Sequence, residues 1–220
     1  MKAMVKIVSA ILGATLFIAA PAMASVDDDV SRLQKEWEHI KYELRPTEQE
    51  KEFARLTGEA DKVVAQNPSR AEPYIWHGII EASHAGAKGG LGALSLVKNA
   101  KRNFERALEI NPNALNGSAY TSLGSLYYQV PGWPIGFGDE KKALEFLQKG
   151  LAINPDGIDS NYFYGDFLFR LGELDNAERV LRKALQAPPR SGRKLADEGR
   201  RREVGQLLEK IAEKRNSSQK

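Results

Sequence analysis

The chain has 220 residues, 32 of them Lys or Arg and 29 Asp or Glu, for a formal charge of +3. It contains no cysteine, which excludes disulfides, thiol catalysis and thiolate metal sites. A chain of this length can bury enough surface to fold without a covalent staple.

Residues 1–24 read as a secretory leader. Lys2 and Lys6 make a basic start, Ile7 to Ala20 is apolar, and Ala22-x-Ala24 matches a small-residue cleavage pattern. The apolar run is shorter than the ~20 residues of a transmembrane helix, and an uncleaved anchor is the competing reading. Cleavage before Ser25 removes two lysines and leaves a charge of +1. The expected product is a soluble periplasmic protein with no membrane span.

Val30, Leu33, Trp37, Ile40 and Leu44 then fall at helical spacing, and Arg45-Pro46 ends that run. Thr47-x-x-Glu50 has the form of a capping box, opening a second helix with Phe53, Leu56, Ala60, Val63 and Val64 on its inner face. Residues 25–68 are therefore expected to form a degenerate first hairpin.

From residue 69 to 189 the chain repeats itself. Asn-Pro recurs at Asn67-Pro68, Asn111-Pro112 and Asn154-Pro155, and Pro188-Pro189 closes the series. Before the last three stops stands a small-large-small pattern: Ala100, Phe104, Ala107; Ala143, Leu147, Gly150; Ala177, Leu181, Ala184. Small residues at these spacings let a neighbouring helix approach, and proline ends the helix.

These patterns resemble the tetratricopeptide repeat, whose copies read W-x2-L-G-x2-Y, A-x3-F and a closing proline over 34 residues. The best copy runs from Ile158 to Pro189, with Tyr164-Gly165, Leu168, Ala177, Leu181, Ala184 and Pro189 in register and a turn at Leu171-Gly172-Glu173. A second carries Tyr120, Leu123-Gly124 and Tyr127, and a third Tyr74, His77-Gly78 and Glu81. The resemblance implies an all-α, right-handed superhelical solenoid of about four hairpins. Val204, Leu207, Leu208 and Ile211 repeat at amphipathic spacing, as a C-terminal capping helix in residues 190–220 would require.

Two repeats depart from the family length. The Asn-Pro spacing is 44, then 43, residues. The first surplus is assigned to Ala85–Gly92, and the second to Val130–Asp139 with Trp133, Ile135 and Phe137. Inserts at matching places emerge on one face of a solenoid, often the binding face. Either Trp133 and Phe137 form an exposed contact site, or the loop folds back to plug its own repeat.

The glycine-rich insert, the widened repeats and the basic tail also resemble the periplasmic T components associated with tripartite (TRAP) transporters. That resemblance implies a helper holding a small, possibly apolar ligand or a substrate-binding protein. Members of that family are often lipid-anchored, and this chain lacks the cysteine for it.

Tetratricopeptide solenoids usually bind along the concave face, lined by the first helix of each repeat. That geometry implies a groove of Thr121, Ser125, Tyr128 and Gln129 from one repeat. Asp159, Tyr162, Asp166, Phe169 and Arg170 come from the next. Part of this set is expected to pack helix to helix instead. The lysine and asparagine clamp that some relatives use on a peptide carboxylate is missing. The leading expectation is a binding scaffold for a protein partner, with a small apolar ligand as the alternative.

His77, Glu81 and His84 stand at i, i+4, i+7 on one helix face. Two imidazoles separated by about 10 Å of helix make a poor zinc site, and a hydrogen-bonded polar patch is the preferred reading. Gly89-Gly90-Leu91-Gly92 lacks the ending of a P-loop, and no nucleophile elbow is present. No cofactor or catalytic residue is assigned. From Arg190 onward ten basic residues face five acidic ones. Without aromatic companions for Arg200-Arg201-Arg202 this is no nucleic-acid surface. It reads as a solvated helix face, with attraction to an anionic membrane or wall as the alternative.

Overall fold

Ser25 opens the first helix. Its Oγ accepts the Asp28 backbone N–H at 3.1 Å while the Asp28 carboxylate accepts the Ser25 N–H, a reciprocal cap. The computed structural model describes residues 25–218; the leader assigned to residues 1–24 lies outside them. Among the described residues the elements are all helical: α1 (Val26–Tyr42), α2 (Pro46–Gln66), α3 (Ala71–Lys88), α4 (Ala93–Ile110), α5 (Ser118–Gln129), α6 (Glu140–Ile153), α7 (Ile158–Arg170), α8 (Leu174–Leu185) and α9 (Lys194–Ser218). One short 3-10 turn, Ala114–Gly117, precedes α5. No described helix is long and apolar enough to cross a membrane.

The eight helices α1–α8 pair as four antiparallel hairpins, the expected solenoid. Close approach within a pair rests on small residues. A Cβ on Gly165 would stand 2.7 Å from Leu181 Cγ, and one on Gly150 would collide with Thr121 Oγ1. The last three hairpins bury the large residue that their pattern marked, Phe104, Leu147 and Leu181, and the first buries Phe53.

Two local expectations are corrected. α2 starts at Pro46, before the Thr47 capping box, because proline at N1 has its φ preset and needs no N–H partner. Glu48, not Glu50, reaches back to the Arg45 N–H at 3.2 Å. The first surplus segment is also not a wide loop. α3 and α4 run to 18 residues each, against 13 and 12 in α7 and α8. The surplus lengthens both helices, and residues 89–92 make a tight turn with Gly89 and Gly90 at positive φ.

The second surplus is a true loop, residues 130–139, and it is bonded to itself. Gly138 N–H donates to Pro131 O at 3.0 Å, Gly136 N–H to Gly132 O at 3.1 Å, and Asp139 N–H to Tyr127 O at 2.9 Å. Asp139 then caps α6 through the amides of Lys141 and Lys142.

α9 does more than cap. Val204, Leu207 and Ile211 are buried with Ile158, Val180 and Leu181 of the last hairpin, as a terminal cap requires. Its first turns belong to the opposite end of the molecule. Ala196 sits in the core of the first hairpin with Trp37 and Trp76, and its N–H donates to the Glu38 carboxylate at 3.0 Å. Each of α1, α3, α5, α7 and α9 therefore touches the next, and α9 touches α1. The first helices of the hairpins form a closed ring, with α2, α4, α6 and α8 paired to them.

The basic run is accordingly not a solvated face at its start. Arg200 is buried and the Arg193 side chain is 12% exposed, because their carboxylate partners lie on helices that only the folded ring brings near.

Candidate functional site

Inside the ring lies a cavity of about 1410 Å³. Its lining is mixed. Hairpins one and two contribute Trp37, Trp76, Ile79, Leu94 and Val97 but also Lys41, Gln49 and Ser83. α5, α7 and α9 contribute Ser122, Ser125, Asp159, Tyr162, Asp166 and Arg200 together with Leu126, Phe163 and Ala196. Leu91, Pro131 and Ile135 border it from the connections between paired helices.

A charged cluster on the lining is organised around Asp159. Its carboxylate accepts Arg190 Nη1 and Arg200 Nε, each at 2.7 Å. Burial works against its charge, but the two guanidiniums prevail and hold its carboxyl well below the usual range. Arg190 also bonds Asp197 at 2.6 Å. Arg200 reaches Glu203 at 2.5 Å and lies over the Tyr162 ring, 4.4 Å from its centroid. Burial pushes the Tyr162 hydroxyl up to about 12, against the opposing charge of Arg200. Arg193 stands 3.5 Å from Glu38 and covers the Trp76 ring at 4.9 Å. These arginines tie α9 to α1, α3 and α7 while lining the cavity.

The residues singled out in the sequence divide among three places. Ser125, Asp159, Tyr162 and Asp166 line the cavity with Gln129. Thr121 lines it too but is buried against Gly150. Tyr128 stands behind the wall: its hydroxyl donates to Asp166 Oδ2 at 2.7 Å, and the Arg170 guanidinium lies 4.9 Å from its ring. Burial, reinforced by the Asp166 charge, raises that hydroxyl well above its ordinary range. Arg170 is half exposed. Phe169 leaves the groove altogether and packs with the last core, under Lys214.

The insert splits its aromatic residues. Phe137 turns back, its ring edge-on to Tyr127 at 5.5 Å with Lys101 above it. Trp133 points away, 90% exposed, and Ile135 is 58% exposed at the cavity border. One loop thus both plugs its repeat and presents an apolar tip.

His77, Glu81 and His84 form no ligand set: among the described residues no group of three such side chains is placed to hold a metal. His77 Nε2 lies 3.3 Å from Asp61 and 3.8 Å from Glu81. Glu81 accepts Asn103 Nδ2 at 2.8 Å, and burial pushes its carboxyl up to about 7. Burial also lowers His77 and His84. The patch is polar, but only Glu81 is hydrogen-bonded as expected: His77 Nδ1, His77 Nε2 and His84 Nδ1 are buried with no hydrogen-bond partner among the described residues.

Sequence reasoning missed Glu38, Trp76, Arg190, Arg193 and Arg200. A trace of the signal exists in Arg190-x2-Arg193-x3-Asp197-x2-Arg200, a helix-spaced alternation of charges. Their partners, however, stand up to 158 positions away.

Comparison with known proteins supports the fold. The tetratricopeptide repeat family matches residues 135–196, which span α6 to the start of α9. A thermophilic tetratricopeptide protein of Thermus thermophilus, TTC0263, is similar at 16% identity with a TM-score of 0.54, covering 83% of this chain and 90% of its own. A MamA crystal structure is 20% identical with a TM-score of 0.44, over 76% of this chain and 91% of that one. No curated protein sequence matches significantly. Residues 135–196 thus match the tetratricopeptide repeat, and the chain as a whole has the helical-repeat fold of such proteins.

Proposed function

We propose that this chain is an exported binding protein that holds a small molecule inside the ring closed by α9. One observation carries the reading: the concave face surrounds a cavity of about 1410 Å³ lined by apolar and polar side chains together. Ligand sites are concave, largely apolar and oriented by a few polar groups. A ligand with an apolar body would lie on Ile79, Leu94 and Val97, and its hydroxyl or amide groups would meet Ser122, Ser125, Tyr162 and Asp166. The charges at the seam are mutually paired, Arg190 and Arg200 with Asp159, Arg193 with Glu38. An uncharged amphipathic molecule therefore fits better than an ion. The leader-like start supports export, and the resemblance to transporter-associated T components supports a carrier role beside a transporter.

A partner's extended segment entering the same cavity is the second reading. Ser118, Gln129 and Asn154 on the lining offer groups that a peptide backbone can meet, and interaction with proteins is what the repeat class does. Native mass spectrometry of protein released by osmotic shock separates the two. A retained small molecule, lost or weakened when Ser125→Trp obstructs part of the cavity, supports the first. A retained peptide supports the second, and an empty wild-type protein that binds neither class contradicts both.

A further inference from the structure

α9 is held to its two neighbours by different forces. Of its buried apolar residues, Val204, Leu207 and Ile211 join the core of the last hairpin, and Ala196 alone joins that of the first. The polar ties divide in the same way. Arg200 bonds Asp159 of α7 at 2.7 Å, Arg201 donates to Ala187 O at 2.8 Å, and Arg215 pairs with Asp175 and Glu178 of α8. Apolar burial and cationic ties together keep α9 on the last hairpin.

Toward the first hairpin a single carboxylate makes the closest polar contacts. Glu38 accepts the Ala196 N–H at 3.0 Å and stands 3.5 Å from Arg193 Nε. Ala196 lies in the first turn of α9, where a backbone N–H has no partner within the helix, so water can replace Glu38 there. Lys41 and Glu203 face each other at 3.9 Å with both side chains partly exposed, and such pairs contribute little. The Tyr42 ring seats against Gly199, where a Cβ would strike it.

The same seam leaves donors unmet. Trp76 Nε1 and Arg193 Nε are buried with no hydrogen-bond partner among the described residues, although Arg193 lies over the Trp76 ring. Burial, with the like charge of Arg190 added to it, lowers the Arg193 pKa and so weighs against its charge. A buried donor without a partner loses its hydration and gains nothing in return. Opening the seam returns both donors to water. Among the described residues no such atom stands between α9 and the last hairpin.

We infer that the ring opens at the α1–α9 seam as a gate, with α9 remaining on the last hairpin and the rest of the fold intact. Tyr42, Arg193, Ala196 and Glu203 line the cavity, so opening the seam lays the cavity open along that side. Weakly held units of a fold open well below the free energy of global unfolding. Opening of this kind does not depend on what the cavity holds.

A chain without cysteine can be probed with two single thiols on the same helix. Ala196→Cys places one in the seam, and Val204→Cys places one in the last core; the two native residues are 2% and 0% exposed. Each thiol's rate with a chromogenic disulfide reagent is referred to its rate in the urea-unfolded protein. Without denaturant the seam thiol should react at least about tenfold faster than the core thiol on that scale. Low urea should barely change the seam rate and should raise the core rate, because the slope follows the surface exposed. Glu38→Ala should speed the seam thiol further and leave the core thiol unchanged. Equal rates with equal urea dependence overturn the gate, since the seam would then open only when α9 detaches or the chain unfolds. Equal acceleration of both thiols by Glu38→Ala overturns it too. If either cysteine variant does not fold, exchange of the Trp76 indole N–H in the unaltered chain is compared with that of the α8 backbone amides. Faster exchange at Trp76 supports the gate, and equal exchange overturns it.

Discussion

Glu81 and Asp159 are both carboxylates in the interior of the fold, and their surroundings drive them in opposite directions. Glu81 has Asn103 as a neutral donor and Asp61 as a like charge, so burial dominates and its pKa rises to about 7. A group raised above its unfolded value stabilises the fold below that value and loses its contribution as pH climbs through the folded one. Wild-type stability should therefore fall between pH 4.5 and about 7 relative to Glu81→Gln, by up to about 3 kcal/mol. Thermal melts of both proteins at pH 5 and pH 8 check this, and parallel curves would contradict it. Asp159 has two guanidiniums and stays charged. Its contribution is present above its unfolded value and disappears as pH falls. Asp159→Asn would leave Arg200 and Arg190 short of a partner, which typically costs about 3–5 kcal/mol for buried pairs. Asp159 opens partly on the cavity, so the lower end applies, and chemical denaturation measures it.

At the scale of elements, the hairpins were legible because their information is local. Ala177, Leu181 and Ala184 mark a packing face, Gly172 marks the turn, and Pro189 marks the stop, all within one repeat. The two surplus segments were equally visible as lengths, but length does not say whether extra residues extend a helix or bulge from it. Gly89-Gly90 packed the reversal into four residues, while Pro131, Gly132 and Pro134 broke the helix before it could lengthen. The insert also shows why Trp133 and Phe137 resist a shared reading: one loop turns them opposite ways. Phe137→Ala should cost about 1–3 kcal/mol, since a half-buried ring leaves its contact with Tyr127, or roughly 2–4 °C per kcal/mol in a chain of this size. Trp133→Ala should leave the melting temperature within about 2 °C. Equal drops for both would show that the loop packs as a unit.

The whole molecule is where sequence pattern gave out. Val204, Leu207 and Ile211 announced a cap, yet nothing near Ala196 announced that the same helix reaches the first hairpin. That information is the curvature summed over four repeats, and it has no local signature. Glu38, Arg193 and Arg200 look like surface charges in any window short enough to read, and Asp159 like a groove residue without a partner. They become a seam when the ring closes. Removing residues after Arg193 should therefore do two things: expose Val180 and Leu181, and leave Glu38 and Trp37 uncovered at the other end. Such a protein should melt early or aggregate, and normal melting would make α9 a dispensable tail.

Ring closure is the claim on which the cavity rests, and the absence of native cysteine makes it directly measurable. His39 on α1 and Glu198 on α9 are exposed neighbours of the seam. Spin labels attached at His39→Cys and Glu198→Cys report the separation of the two helices by double electron–electron resonance. A closed ring predicts one short, narrow distance distribution that broadens when Glu38→Ala and Arg193→Ala are added. A long or broad distribution in the otherwise unaltered labelled protein would mean an open solenoid with its concave face free to solvent, and would contradict ring closure.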